Sequence, residues 1–199
     1  MEVLKHPRMR QEKGRRRVDQ HGFAAVELAL ILPILIIMTF VIIDFGRLIQ
    51  ARLVVTNVAR EGGSLASRDT QSAGNLITML QAGASPLNLA GDGRIYIWKI
   101  RAGTSVQNPD PFIDLSVSAN AGALSVPSTI GTGRSNLGLS SQLYNHLEFD
   151  NSPGKKTSDI SEVTVVEVFY RVTSVTPIGK FVPTLFTGGS EIIASKAVF

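Results

Sequence analysis

Residues 23–43 read FAAVELALILPILIIMTFVII, and this run decides the fold. Only Glu27, Pro33 and Thr39 among its 21 residues are not plainly apolar. A helix needs about 20 apolar residues to cross the hydrocarbon core of a bilayer. The run therefore predicts one transmembrane helix over about residues 23–43, with the carboxylate of Glu27 near one end.

The excess positive charge of the chain lies in front of this run. Of 20 Lys and Arg and 16 Asp and Glu, seven bases and three acids fall in residues 1–22, which leaves the rest formally neutral. By the positive-inside rule this block predicts a cytoplasmic N-terminus and an exterior C-terminal part. A basic tail that binds nucleic acid or anionic lipid is the alternative. A general secretory signal is disfavoured, because its apolar core is only about 7–15 residues long. The bases nearest the apolar run are Lys13, Arg15, Arg16 and Arg17.

The helical pattern continues beyond the apolar run. Residues 44–61 contain no proline, and Gly62-Gly63 is the predicted stop. Asp44 and Arg47 are three residues apart, a spacing at which opposite charges on a helix can pair. Pro33 has no amide donor, which predicts a kink inside the span. The polar stripe predicted from helical spacing contains Asp44, Arg47, Gln50, Asn57 and Glu61.

The start of this helix resembles the type IV prepilin processing motif. Gly22-Phe23 is followed by Glu27, the fifth residue counted from Phe23. The longer run over residues 22–63 is similar to the TadE-like branch, the pseudopilins of tight-adherence (Tad, or Flp) pilus systems. The residues that match further along the helix are Pro33, Asp44, Gly46, Arg47, Ala51, Arg52, Thr56, Asn57, Arg60, Glu61 and Gly62.

The resemblance implies a processing and assembly pathway. A prepilin peptidase would remove residues 1–22 by cutting between Gly22 and Phe23. An inner-membrane assembly platform would then pack the helix of the mature chain among those of other pilins. Phe23 and Glu27 would take part in assembly, because the new α-amine can pair with a glutamate of its own or a neighbouring subunit. Alternatively, Glu27 reaches the cytoplasmic headgroups and has no partner.

The rest of the chain predicts an exterior α+β domain over residues 64–199. One short helix is expected around residues 75–81. Segments rich in β-branched and aromatic residues then alternate with Gly/Ser/Asn/Pro clusters, as in antiparallel sheets. With the long helix over residues 23–63, this order predicts a sheet packed on the projecting helix, as in type IV pilins. The predicted strands are residues 94–100, 113–119, 142–149, 162–175 and 191–199.

No pattern in this domain indicates catalysis. The chain has no cysteine, and His146 is its one histidine beyond the leader, within a predicted strand. No metal-ligand spacing is present, and Glu162 and Glu167 are interpreted as charges on the solvent face of a strand. We expect no enzymatic activity, no metal and no cofactor.

Two hypotheses follow. The first is a minor pilin or pseudopilin in the cytoplasmic membrane that serves as the initiating or the tip subunit of a pilus. Its expected partners are the bilayer and other pilins, and no binding to nucleic acid is expected. The second is an uncleaved, single-span anchored protein with an exterior binding or enzymatic domain.

Overall fold

The computed structural model describes residues 20–69, 71–131, 133–150, 160–177 and 190–199. The chain divides into two compact units, residues 1–39 and 40–199. The boundary falls inside the first helix, α1 (Gln20–Ala66), which contributes to both. We call residues 1–39 the N-terminal unit and residues 40–199 the C-terminal unit.

The N-terminal unit is described over the first part of α1. Every side chain from residue 22 to residue 39 is exposed, although most are large and apolar. Within the described residues, α1 is the one helix long and apolar enough to cross a membrane. An α-helix satisfies most of its backbone amides internally, as hydrocarbon surroundings require. The helix therefore fits a single-span membrane protein.

The C-terminal unit is an α+β fold, as predicted. Its strands form one antiparallel sheet in the order β2-β1-β4-β5, and β3 also pairs with β1. After α1, the elements are α2 (Ala73–Gly83), α3 (Leu89–Asp92), β1 (Gly93–Arg101), β2 (Phe112–Ile113), β3 (Ala119–Ala121), a 3-10 turn (Ser135–Gly138), α4 (Ser141–Leu147), β4 (Glu162–Thr173) and β5 (Ser190–Val198).

Both faces of the sheet are covered. On one face, Val166 and Val168 of β4 pack with Val55 of α1 and Leu76 of α2. The opposite face packs against the segment between β3 and β4, which buries further residues of β4 and β1. Because both faces are covered, β4 is buried at every position from Val163 to Phe169 rather than at alternate ones.

The sequence assigned two strands wrongly. Residues 142–149 were predicted as a strand, but α4 occupies Ser141–Leu147, and His146 lies in its last turn. Ser140 caps this helix by accepting a hydrogen bond from the amide of Leu143, which is the usual task of serine at this position. The strand predicted at residues 113–119 is divided into β2 and β3, because Asp114–Ser118 turns back on itself through local hydrogen bonds.

The predicted helix stop at Gly62-Gly63 is also wrong, since α1 continues to Ala66. Both glycines are buried. A Cβ atom on Gly62 would lie 2.7 Å from Cδ1 of Leu80, and one on Gly63 would meet the ring of Phe199. These glycines therefore permit close packing against the helix rather than ending it.

Two charged side chains are buried in the sheet. Glu167 is fully buried, so its predicted place on the solvent face is wrong. It accepts hydrogen bonds from the hydroxyls of Ser128 and Thr129 and from the amide of Thr129. Lys99 is also buried and contacts the carboxylates of Asp69 and Glu162. Each buried charge thus has polar partners, which offset the cost of removing it from water.

Candidate functional site: the two faces of helix α1

The residues predicted for processing lie in the first turns of α1. Gly22 and Phe23 are exposed, with 76% of Phe23 accessible, and the bond between them lies within the first turn. Glu27 follows one turn later and is also exposed, on the same side as Phe23 because residues four apart share a helix face. The leader residues Lys13, Arg15, Arg16 and Arg17 lie outside the described residues.

Pro33 lies inside the helix. The helical assignment is continuous through it. Because proline has no amide hydrogen, the carbonyl of Ala29 lacks its usual donor. Further along, the hydroxyl of Thr39 donates to the carbonyl of Leu35 at 2.8 Å, a bond that satisfies a polar side chain inside the apolar segment. The kink predicted at Pro33 stays a prediction.

Asp44 lies one residue beyond the predicted span and is almost fully buried, with 3% exposed. Its carboxylate accepts a hydrogen bond from the hydroxyl of Ser174 at 2.6 Å and one from the amide of Val175 at 3.1 Å. The amide and the hydroxyl of Thr176 donate to it as well. Asp44 therefore fastens α1 to the segment that leaves β4, and the predicted pair with Arg47 does not form.

The electrostatics of Asp44 favour its charged form. Burial raises the pKa of this carboxyl, but the hydrogen bonds from Ser174, Thr176 and Val175 outweigh burial and hold the pKa below its ordinary value. A buried carboxylate that accepts hydrogen bonds from several donors strongly stabilises the contact between the segments that it joins. The polar stripe predicted through Asp44 was wrong, because Asp44 belongs to the buried face.

The buried face of α1 follows helical spacing along the C-terminal unit. From Asp44 it continues three or four residues at a time to Gly62 and Ala66, and it is completed by small or β-branched residues that let the helix lie close to the sheet. The residues of this face are Asp44, Ala51, Val55, Val58, Ala59, Gly62 and Ala66. In the C-terminal unit, one face of α1 is therefore buried within its own subunit.

The opposite face of α1 in the C-terminal unit is exposed. It carries an apolar stripe at helical spacing, Ile42, Phe45, Ile49 and Leu53, of which 67%, 50%, 45% and 61% are exposed. Gly46 lies beside this stripe with open space around its Cα atom. We call these five residues the outward stripe. The other predicted helix residues are also exposed, namely Arg47, Arg52, Asn57, Arg60 and Glu61.

The sequence analysis missed the partners of Asp44. Ser174 and Thr176 lie 130 and more residues later in the chain. The pattern Ser-x-Thr directly after a strand is a weak signal, because hydroxyl residues at strand ends usually bond to the local backbone. Only the fold brings these donors to α1.

No metal centre is formed among the described residues. In residues 20–69, 71–131, 133–150, 160–177 and 190–199, no group of three or more His, Asp or Glu side chains is placed to hold an ion.

The comparisons with known proteins find one match. The family model described as TadE-like protein matches residues 22–64, which cover α1 from the predicted cleavage site almost to its end. No curated protein matches the chain. No solved structure matches it either. Residues 22–64, which include most of α1, are therefore similar to the TadE-like family, which is consistent with a protein associated with a Tad pilus.

Proposed function

We propose that this chain is a minor pilin or pseudopilin of a Tad/Flp-type system, and that α1 serves as both its membrane anchor and its assembly element. One observation carries the proposal. The TadE-like match coincides with a helix that is exposed on every side over residues 22–39 and that, in the C-terminal unit, is buried on one face and exposed along the outward stripe. A long exposed apolar face requires lipid or a partner to cover it.

In the proposed pathway, the basic leader holds the N-terminus in the cytoplasm and the C-terminal unit lies outside the cytoplasmic membrane. A prepilin peptidase cuts between Gly22 and Phe23. Cleavage gives Phe23 an α-amine, which is mostly protonated at neutral pH because the pKa of such amines is about 7.7–8. The mature chain then begins with a cation one turn before Glu27.

Glu27 has a clear task in this pathway. A carboxylate at membrane depth costs about 2.5–3.5 kcal/mol on insertion scales. No described residue forms an ion pair with Glu27 within the chain. The ammonium of Phe23 on a neighbouring subunit would neutralise it and fix the register of the two helices.

The outward stripe offers a further contact surface, which begins at the end of the predicted span and continues past it. Gly46 allows the backbone of another helix to approach closely, and the surrounding Ile42, Phe45 and Ile49 supply apolar area. The C-terminal unit is large for a subunit repeated along a thin fibre, so we assign the chain to the start or the tip of the pilus. The role is structural, and we propose no catalysis.

The assembly role is tested with Glu27→Ala. We expect the variant to insert and to be processed normally, because neither step needs the carboxylate. Copurification with the other pilins of the system should fall severalfold, since the charge that pairs with the neighbour's ammonium is gone. The measurement is quantitative mass spectrometry of pilins captured through a tag on this chain.

Glu191→Ala is the matched control, because it removes the same side chain from β5 rather than from α1. It should copurify as the unaltered chain does. If Glu27→Ala also captures the unaltered amount of pilins, the assembly role of Glu27 is refuted.

A further inference from the structure

A cavity of about 440 Å³ opens next to β2, in the loop that follows β1. Its volume falls in the range of about 300–1,000 Å³ that is usual for small-molecule sites. The assembly pathway proposed above does not use this cavity. The described residues that line it are Thr104, Gln107, Asn108, Pro109, Asp110 and Phe112.

The cavity lies at the end of the sheet away from Asp44. Asp44 is bonded to the segment directly after β4, and β4 runs antiparallel to β1. Arg101, the last residue of β1, pairs with Phe112 on one side and with Glu162, the first residue of β4, on the other. Because β1 has nine residues, the cavity lies roughly 26 Å along the strands from the start of β1, at about 3.3 Å per residue. A ligand there would be remote from the point where α1 enters the C-terminal unit.

The loop that forms the cavity is held in shape by close backbone contacts. Gly103 approaches Pro109 so closely that a Cβ atom on Gly103 would collide with the carbonyl oxygen of Pro109. The same carbonyl accepts a hydrogen bond from the amide of Phe149 at 2.8 Å. Pro109 and Pro111 fix their own φ angles, and each restricts the residue before it. The loop therefore needs little ordering when a ligand binds.

The polar groups that line the cavity are mostly uncharged. The backbone amide of Thr104 donates to the carbonyl of Asn108 at 3.0 Å and closes a turn. This turn supplies the hydroxyl of Thr104 and the carboxamides of Gln107 and Asn108. Hydroxyl and carboxamide groups can both donate and accept hydrogen bonds. The carboxylate of Asp110 is the only charge among the described residues of the lining.

A tyrosine outside the lining supports the carboxylate of Asp110. The hydroxyl of Tyr144 donates to Oδ1 of Asp110 at 3.2 Å. Burial raises the pKa of this hydroxyl, and the charge and hydrogen bond of Asp110 and the charge of Glu148 raise it further, so the hydroxyl stays protonated. A carboxylate has about four acceptor sites, and most of them therefore stay open to a ligand.

Phe112 supplies the apolar part of the lining. It is 46% exposed, although its backbone is paired with Arg101 in the sheet. The face of an aromatic ring carries partial negative charge and attracts the positively polarised C–H bonds of a flat ligand. The cavity thus combines one aromatic ring with several hydrogen-bonding groups.

We propose that this cavity binds a neutral saccharide of one or two pyranose rings. The C–H face of one pyranose ring lies on the ring of Phe112. Its hydroxyls donate to the carboxylate of Asp110 and exchange hydrogen bonds with the carboxamides of Gln107 and Asn108. An anionic ligand would place its charge beside that of Asp110, and a purely apolar ligand would leave the polar groups without partners.

The test is saturation-transfer NMR on the full chain in lipid nanodiscs, which avoids detergents with sugar headgroups. The neutral ligands are maltose, cellobiose, lactose and N,N′-diacetylchitobiose. Digalacturonic acid is the anionic comparison, and the deacetylated chitosan dimer is the cationic one. We expect at least one neutral disaccharide to bind at millimolar concentration, with saturation strongest at the C–H protons of one ring face. Digalacturonic acid should bind severalfold more weakly.

Variants of the lining make the test specific. Phe112→Ala should weaken binding about fivefold through loss of the aromatic contact, whereas Phe112→Tyr should preserve it because the ring remains. Asp110→Asn should weaken binding of the neutral sugar and reduce the discrimination against digalacturonic acid. Leu115→Ala is the matched control, because Leu115 is an apolar residue of the same loop region, is 74% exposed and is not part of the lining.

The inference is overturned if no neutral disaccharide binds, or if Leu115→Ala weakens binding as much as Phe112→Ala. It is also overturned if the chitosan dimer alone binds and Asp110→Asn abolishes that binding, because the cavity would then be a site for cations. None of these readouts depends on cleavage or on copurification with pilins. Failure here would therefore leave the proposed function untouched, and the reverse also holds.

Discussion

At the scale of a single residue, the burial of Asp44 could not be predicted from the sequence. Its spacing from Arg47 suggested a pair on the solvent side of a helix, and both residues were correctly placed on that helix. Its burial depends on donors at Ser174, Val175 and Thr176, which only the folded sheet brings within reach. The spacing of residues along one helix carries no information about contacts between residues that are 130 positions apart in the sequence, as Asp44 and Ser174 are.

Asp44→Asn tests this fastening. The amide keeps the size of the carboxylate but removes its charge, and its NH₂ group faces donors rather than acceptors. We expect the free energy of unfolding of the C-terminal unit to fall by about 1.5–3 kcal/mol, the usual value for hydrogen bonds to a charged group. Denaturant titration of the full chain in detergent, followed by the fluorescence of Trp98, measures it. Asp110→Asn, an exposed acid on a loop, should change stability by less than about 0.5 kcal/mol.

The same carboxylate gives a pH dependence. The pKa of Asp44 is lowered by folding, so its stabilising contribution is complete well above the unfolded pKa of about 3.9 and is lost as the pH falls through the folded pKa. The stability difference between the unaltered chain and Asp44→Asn should therefore shrink as the pH falls from about 5 through the acidic range. A difference that stays constant over this range would show that the charge of Asp44 is not what fastens the helix.

At the scale of elements, α1 shows why two glycines were misinterpreted. Gly62-Gly63 is a frequent helix stop, and the sequence offers nothing to distinguish a stop from a close contact. In the fold, Gly62 faces Leu80 and Val166, so a missing side chain serves packing. The strand assigned to residues 142–149 failed for a similar reason, because Leu143 and Leu147 fit both a strand and one face of a short helix.

A matched pair of substitutions tests this account of α1. Gly62→Leu should lower the stability of the C-terminal unit by about 1–3 kcal/mol, because the new side chain has no room beside Leu80. Gly46→Leu, the same change on the open face, should raise stability by up to about 1 kcal/mol through helix propensity. Thermal unfolding of both full-length variants measures the two signs. A destabilised Gly46→Leu subunit would show that the outward face is not open.

The buried carboxylate of β4 gives a second test at this scale. Glu167→Ala leaves the hydroxyls of Ser128 and Thr129 without their acceptor, so residues 124–130 should detach from the sheet. We expect a loss of about 1–3 kcal/mol in stability, together with faster hydrogen exchange at Thr129 and Ile130. Glu191→Ala should change neither. Unchanged exchange in residues 124–130 would contradict the role assigned to Glu167.

At the scale of the whole molecule, the long apolar helix, the family resemblance and the fold class could be predicted from the sequence. The apolar run predicted a membrane-spanning helix, and α1 is long and apolar enough to be one. The run and the residues around it also carry the TadE-like resemblance that the family match supports. Composition gave an α+β unit with an antiparallel sheet, and three strands were correctly placed. The covering of both sheet faces could not be predicted, since Glu167 in the middle of β4 indicated a solvent face. Nor could the sequence divide α1 into a buried and an outward face.

The central claim is that Phe23 becomes the first residue of a subunit whose helix joins other pilins. Intact-protein mass spectrometry of the chain, expressed with and without an active prepilin peptidase, tests it most directly. With the peptidase, the account predicts a mature chain that begins at Phe23 and lacks residues 1–22. Without it, the leader should remain. A chain that keeps its leader in the presence of the active enzyme would contradict the pilin role and favour an uncleaved, membrane-anchored protein.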